Sequence, residues 1–137
     1  CEDTAARIPA IRTAPPRIAP ERGECLKALE RIAAAKRPML MAGTSVKWSM
    51  AEPALNAFLA KTNIPAYCNG MGRGTIHRDS PHLFNRTRRK ALEDADVVIL
   101  AGVLLDFRMK FGETIPHGAK IIQLDMDNTQ IGQNRQA

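Results

Sequence analysis

Aromatic residues are few in this 137-residue chain: one Trp, one Tyr and four Phe, 4% in all. The core must therefore be aliphatic, built from Ile, Leu, Val, Ala and Met, and no aromatic RNA-binding signature is available. Cysteine is equally sparse. Cys1, Cys25 and Cys68 lie far apart without a CxxC pair, which argues against a disulfide scaffold or a zinc site and makes a reduced, cytoplasmic setting the default. No apolar run approaches the roughly 18 residues of a membrane span. The opening CEDTAARIP lacks the basic and apolar regions of a signal peptide. His77, His82 and His117 are scattered without metal spacing or a companion nucleophile motif, so they read as solvated loop residues.

What is present describes an ordinary globular domain. The chain is 45% hydrophobic and 25% charged, and its length suffices for one domain with a real core. The net charge of +6 is concentrated in Arg86, Arg88, Arg89 and Lys90, with further Arg in the first 31 residues. Such a cluster can serve nucleic acid, but no zinc finger or helix-turn-helix accompanies it. It reads instead as a solvated helix start, or as an anion site for a nucleotide or neighbouring domain. Residues 1–19 carry Pro9, Pro15 and Pro16, with Pro20 following. They read as an extended interdomain linker. With a start at Cys1 rather than Met, they point to a piece of a longer polypeptide.

From Glu21 to Lys36 the pattern is helical, with Leu26, Leu29 and Ala33 on one face. Pro38 ends it. Met39–Ala42, closed by Gly43, reads as a buried parallel strand. A loop holding Trp48, expected as a packing anchor, leads to a second helix. Ser49 and Glu52 have capping-box spacing there, Pro53 stands near the first helical position, and Leu55, Phe58 and Leu59 form the buried stripe. Strands follow at 64–68, 97–101 and 120–125, with a short helix at 87–93 and a loop or single turn at 106–111. A further helix is expected to begin after Asn128. Strands alternating with helices at this spacing predict an α/β fold: a three-layer, Rossmann-like domain with a parallel sheet of four or five strands and helices on both faces.

Ligands of such sheets bind at the carboxyl ends of the strands, and three groups of residues fall there. Gly70-Met71-Gly72-Arg73-Gly74 follows the second strand; its glycines permit close approach to a phosphate, and Arg73 can add a charge-assisted hydrogen bond. A flexible turn explains the same glycines. Asp106 and Arg108 follow the third strand, as a nucleotide contact or as an internal salt bridge. Asp125 and Asp127 end the fourth, placed to hold a ribose hydroxyl or to cap the next helix.

In order and spacing, the segments AAKRPMLMAG, LNAFLAKTNIPAYCNGMGRGTIHRDSP, ALEDADVVILAGVLLDFRMKFG and KIIQLDMD with Ile131-Gly132 resemble the central domain of thiamine-diphosphate-dependent enzymes. The likeness runs from about Glu21 to the end, so that residues 20–137 form the domain, and it is nearest to acetolactate-synthase-like members. The resemblance implies a Rossmann-like, DHS-like NAD/FAD-binding fold seated between pyrimidine- and pyrophosphate-binding domains, in a homo-oligomeric parent enzyme without nucleic-acid or membrane partners. It implies FAD or ADP as a possible ligand, contacted by Gly70, Gly72, Arg73, Gly74 and Arg108, with Asp106 beside Arg108 and Asp125 near the adenosine. Acetolactate synthases usually carry a second acidic residue where Phe107 stands, which speaks against FAD. Thiamine diphosphate and magnesium belong to the flanking domains; no GDG motif occurs here, so the chain alone is expected to be inactive. It is also expected to stop one strand short, leaving an open sheet edge. The alternative is a stand-alone nucleotide-binding module of another flavoprotein or deacetylase-like group.

Overall fold

Pro38–Ala42 (β1), Ala66–Cys68 (β2), Val97–Ala101 (β3) and Lys120–Leu124 (β4) pair in one sheet, ordered β2-β1-β3-β4, in a computed structural model that describes residues 19–137. Every pairing is parallel, with Leu40 opposite Ala66 and Ile99, and Ile99 opposite Ile122. The expected linker over residues 1–19 lies, but for its last residue, outside the described part.

β1 and β3 are central and buried on both faces, which is why their sequences are continuously apolar rather than alternating. Alternate residues feed two clusters. Met39, Met41, Val98, Leu100 and Ile121 pack on one side with Leu92 of Arg88–Asp94 (α4) and Met109. Leu40, Ile99 and Ile122 pack on the other with Val46 of Thr44–Trp48 (α2) and Leu55 and Leu59 of Glu52–Thr62 (α3). The result is the expected three-layer α/β architecture with four strands. At one edge, β2 is shielded by a bridge from Ala66 to Leu83. At the other, no further strand pairs with β4 among the described residues.

Several local expectations are corrected. The first helix, Arg22–Ala34 (α1), turns a different face to the sheet. Ala28 and Ile32, with Ala35 just beyond, pack on the second cluster, while Leu26 and Leu29 are each 52% exposed. Both faces of the helix carry apolar residues at helical spacing, so periodicity alone does not choose between them. The loop before α3 contains α2. Trp48, at the end of α2, is 61% exposed, so it is not the buried anchor expected. The capping box does not form: Ser49 closes α2, Ala51 precedes α3, and no side chain caps the helix. Pro53 is its second residue, where a missing N–H leaves no intrahelical bond unmade. The helix expected after Asn128 is a single 3₁₀ turn, Asn128–Gln130, capped by the Asp127 carboxylate accepting from the Thr129 amide at 3.0 Å. Of the histidines, His77 and His117 are exposed and His82 is half-buried.

Candidate functional site

Because all four strands run the same way, their carboxyl ends share one rim. The chain leaves β1 toward β2 on one side and β3 toward β4 on the other, so the connections diverge between β1 and β3. A crevice of about 400 Å³ opens there, lined by Gly43, Ser45, Gly70, Gly102 and Arg108 among others. This is the place where open parallel sheets hold ligands.

Its floor is made by backbone in close approach. Gly43 donates to the Ala101 carbonyl at 2.8 Å, and Gly102 to that of Leu124 at 2.7 Å. A Cβ on Gly43 would run into the Gly102 carbonyl, and one on Gly72 into the Ala42 carbonyl. Gly102 has φ +64 and would place a Cβ 2.7 Å from that of Ser45. The glycines closing β1 and β3, read from sequence only as strand breakers, are thus what lets three loops meet.

The residues expected at the site do not all converge. Gly70 and Arg108 border the crevice. Gly72 is buried against β1, so packing accounts for its lack of side chain. Arg73 and Gly74 face away, into a second cleft. Gly70–Gly72 forms a 3₁₀ turn that is the wall between the two. The Asp125 carboxylate accepts from the Ser45 hydroxyl, with its two oxygens at 3.2 and 3.3 Å, and from the Asp127 amide at 3.1 Å.

Asp106 and Arg108 form an internal pair. The Arg108 guanidinium donates to Asp106 Oδ2 at 2.6 and 2.9 Å, and the Arg108 amide to Oδ1 at 2.9 Å. The guanidinium hydrogen bond holds the Asp106 carboxyl below the ordinary aspartate range and raises Arg108 in turn. The guanidinium also lies 5.7 Å from the centre of the Phe107 ring, which is 73% exposed. The salt bridge expected as one local reading of Arg108 is formed, and the residue also borders the crevice.

The loop carrying Arg108 is strained. Lys110 and Phe111 are left-handed, with φ 48 and 50, a conformation that persists only where the surroundings impose it. The Phe111 amide donates to the Asp106 carbonyl at 2.9 Å, and just beyond the strained pair Arg135 donates to the carbonyls of Gly112, Ile115 and Pro116 at 2.8, 2.9 and 3.1 Å. Asn134 adds a bond to the Leu105 carbonyl at 2.9 Å. Nothing in local sequence marks Arg135 for this role, since its partners are carbonyls 19 to 23 residues away. Among the described residues no group of His, Cys, Asp and Glu is arranged to hold a metal ion, and no helix is long and apolar enough to cross a membrane.

The family model for the central domain of thiamine pyrophosphate enzymes matches residues 25–137. The chain belongs to this family. It is 42% identical over 94 residues to the acetolactate synthase large subunit of Mycobacterium tuberculosis, covering 69% of this chain and 17% of that protein. With the 2-hydroxyacyl-CoA lyase 2 of Caenorhabditis elegans it shares 34% over 110 residues, 80% of this chain and 17% of the relative. The chain thus spans about a sixth of the length of these relatives. Among solved structures, benzoylformate decarboxylase from Polynucleobacter necessarius superposes with a TM-score of 0.70 at 22% identity, over 91% of this chain and 26% of that one. The likeness establishes the Rossmann-like fold of this central domain.

Proposed function

We propose that this central domain belongs to an acetolactate-synthase-like enzyme, which makes or breaks a carbon–carbon bond next to the carbonyl of a 2-oxo acid. In that reading thiamine diphosphate and magnesium are held by flanking pyrimidine- and pyrophosphate-binding domains, in a cytoplasmic homo-oligomer. The described residues supply a rigid spacer between those domains and a nucleotide crevice. They supply no catalytic group.

The observation that carries the nucleotide part is the crevice between β1 and β3. Its glycine floor lets a ligand reach the backbone, and a guanidinium stands on its rim. ADP, or the ADP half of FAD, fits the groups present: Arg108 to donate to a phosphate, and the Asp125 carboxylate to accept from a ribose hydroxyl. Arg108 must share itself with Asp106 to do so, so the site is weak. Titration calorimetry of the 137-residue chain with ADP should give a dissociation constant of roughly 0.1–1 mM, raised at least about fivefold by Arg108→Ala. Tight binding abolished by that substitution would show a fully working site instead. No heat at millimolar ADP would remove the nucleotide role and leave the spacer alone.

A further inference from the structure

Beyond the 70–72 turn from the crevice lies a larger cleft of about 600 Å³, in which arginines are the only charged residues. Arg73, Arg86, Arg88 and Arg89 line it, and no acidic residue does. Arg73 comes from the turn after β2, the others from the segment that enters α4, so separate stretches of chain bring their charges to one place.

These charges are not all neutralised within the domain. Arg89 pairs with Glu93 at 2.8 Å, and Lys90 with Asp94 at 2.9 Å, both along α4. No carboxylate pairs with Arg73, Arg86 or Arg88 among the described residues. The floor is ordered and uncharged: Tyr67 is buried with its hydroxyl 2.9 Å from that of Thr87, and its ring centre lies 6.0 Å from that of Phe84. Burial pushes the neighbouring Cys68 thiol up, so it adds no negative charge. Gly74, also in the lining, has a left-handed φ of +91.

Like charges converging in a walled cleft focus a positive potential. Guanidinium groups meet phosphate oxygens in bidentate geometry, which the point charge of a lysine ammonium does not match, and a di- or triphosphate brings more charge and more oxygens to several arginines than sulfate can. We infer that this cleft is a second binding site, separate from the crevice, for the di- or triphosphate group of a small molecule, held by Arg73, Arg86 and Arg88. Its size and its single pair of mutually packed rings suit one compact anion, not a strand of stacked bases.

The test titrates the 137-residue chain with inorganic pyrophosphate and tripolyphosphate in moderate salt, with sulfate alongside and circular dichroism to check each variant's fold. Pyrophosphate should bind at least about tenfold more tightly than sulfate, with tripolyphosphate tighter still. The double variant Arg86→Ala/Arg88→Ala should lose at least about tenfold, the corresponding double Lys variant less, and Arg31→Ala, the same charge removed elsewhere, almost nothing. Amide shifts should appear at residues 73–74 and 85–88, while shifts at Gly43, Gly70 and Gly102 report the crevice, so the two sites stand or fall separately. Equal affinity for sulfate, indifference to the double Ala variant, or shifts confined to the crevice would overturn the assignment. So would single-stranded DNA that binds more tightly than tripolyphosphate through the same arginines.

Discussion

Gly102 does two things that no other residue can do at its position. It takes a left-handed backbone, φ +64, and it leaves room for Ser45 and Val46, whose Cβ and amide nitrogen would lie 2.7 and 2.8 Å from an added methyl. Left-handed strain and overpacking each cost on the order of 1–3 kcal/mol. Gly102→Ala should therefore destabilise the domain by roughly 2–4 kcal/mol in urea unfolding. Gly118 has open space around it and no left-handed φ, so Gly118→Ala should stay within about 0.5 kcal/mol. Similar costs at the two positions would contradict this account of the crevice floor. The sequence could mark Gly102 as the end of a strand, because an apolar run stops there. It could not show that Ser45, far earlier in the chain, lies against it, since that contact exists only once β1 and β3 are neighbours.

Helix α1 shows where periodicity misleads. Leu26, Leu29 and Ala33 recur at helical spacing and are the more hydrophobic stripe, yet the packed side holds Ala28 and Ile32. Which of two apolar faces meets the sheet depends on neighbours far away in the chain, and here Ile32 packs where Leu26 and Leu29 do not. Leu29→Ala should accordingly change stability by no more than about 0.5 kcal/mol, whereas Ile32→Ala, which empties a partly buried site, should cost roughly 1–2 kcal/mol. A loss above about 1 kcal/mol for Leu29→Ala would mean that the leucine face is covered. The strands were far more legible than the helices. Val97–Ala101 is apolar at every position because both its faces are buried, and a five-residue run of that kind has few other readings. By contrast, α2 is five residues long, too short for periodicity to register. The Ser49–Glu52 capping signal was real spacing with a different use, since Ser49 closes the preceding helix.

The domain is held as one unit from the end opposite the crevice. There Asp96 ties three strands together. Its carboxylate accepts from the amides of Lys36 and Arg37 at 2.7 and 2.9 Å, just ahead of β1. Its amide donates to the Arg37 carbonyl, and its own carbonyl accepts from Lys120 at the start of β4 at 2.8 Å. In the sequence this residue was only one of several acidic residues before an apolar run; its partners lie 59 and 60 positions away. Partial burial pushes the Asp96 carboxyl up, but the Lys36 and Arg37 amide donors more than reverse it, so it titrates below the ordinary aspartate range. Asp106 is shifted the same way by Arg108. A carboxyl whose pKa is lower folded than unfolded binds its proton first in the unfolded chain. Its stabilisation is complete above the unfolded value, about 3.9 for aspartate, and is lost as pH falls through the lower folded value. The urea midpoint should therefore hold between about pH 5 and 7 as far as these two groups are concerned, and drop from about pH 4 downward. Asp96→Ala removes two hydrogen bonds to backbone amides and should cost roughly 1–2 kcal/mol at pH 7. The variant and the parent should then converge as the pH is lowered, because acid takes from the parent what the substitution has already taken from the variant. A gap that stays constant from pH 7 to pH 3 would mean that the Asp96 charge does not hold these strands together.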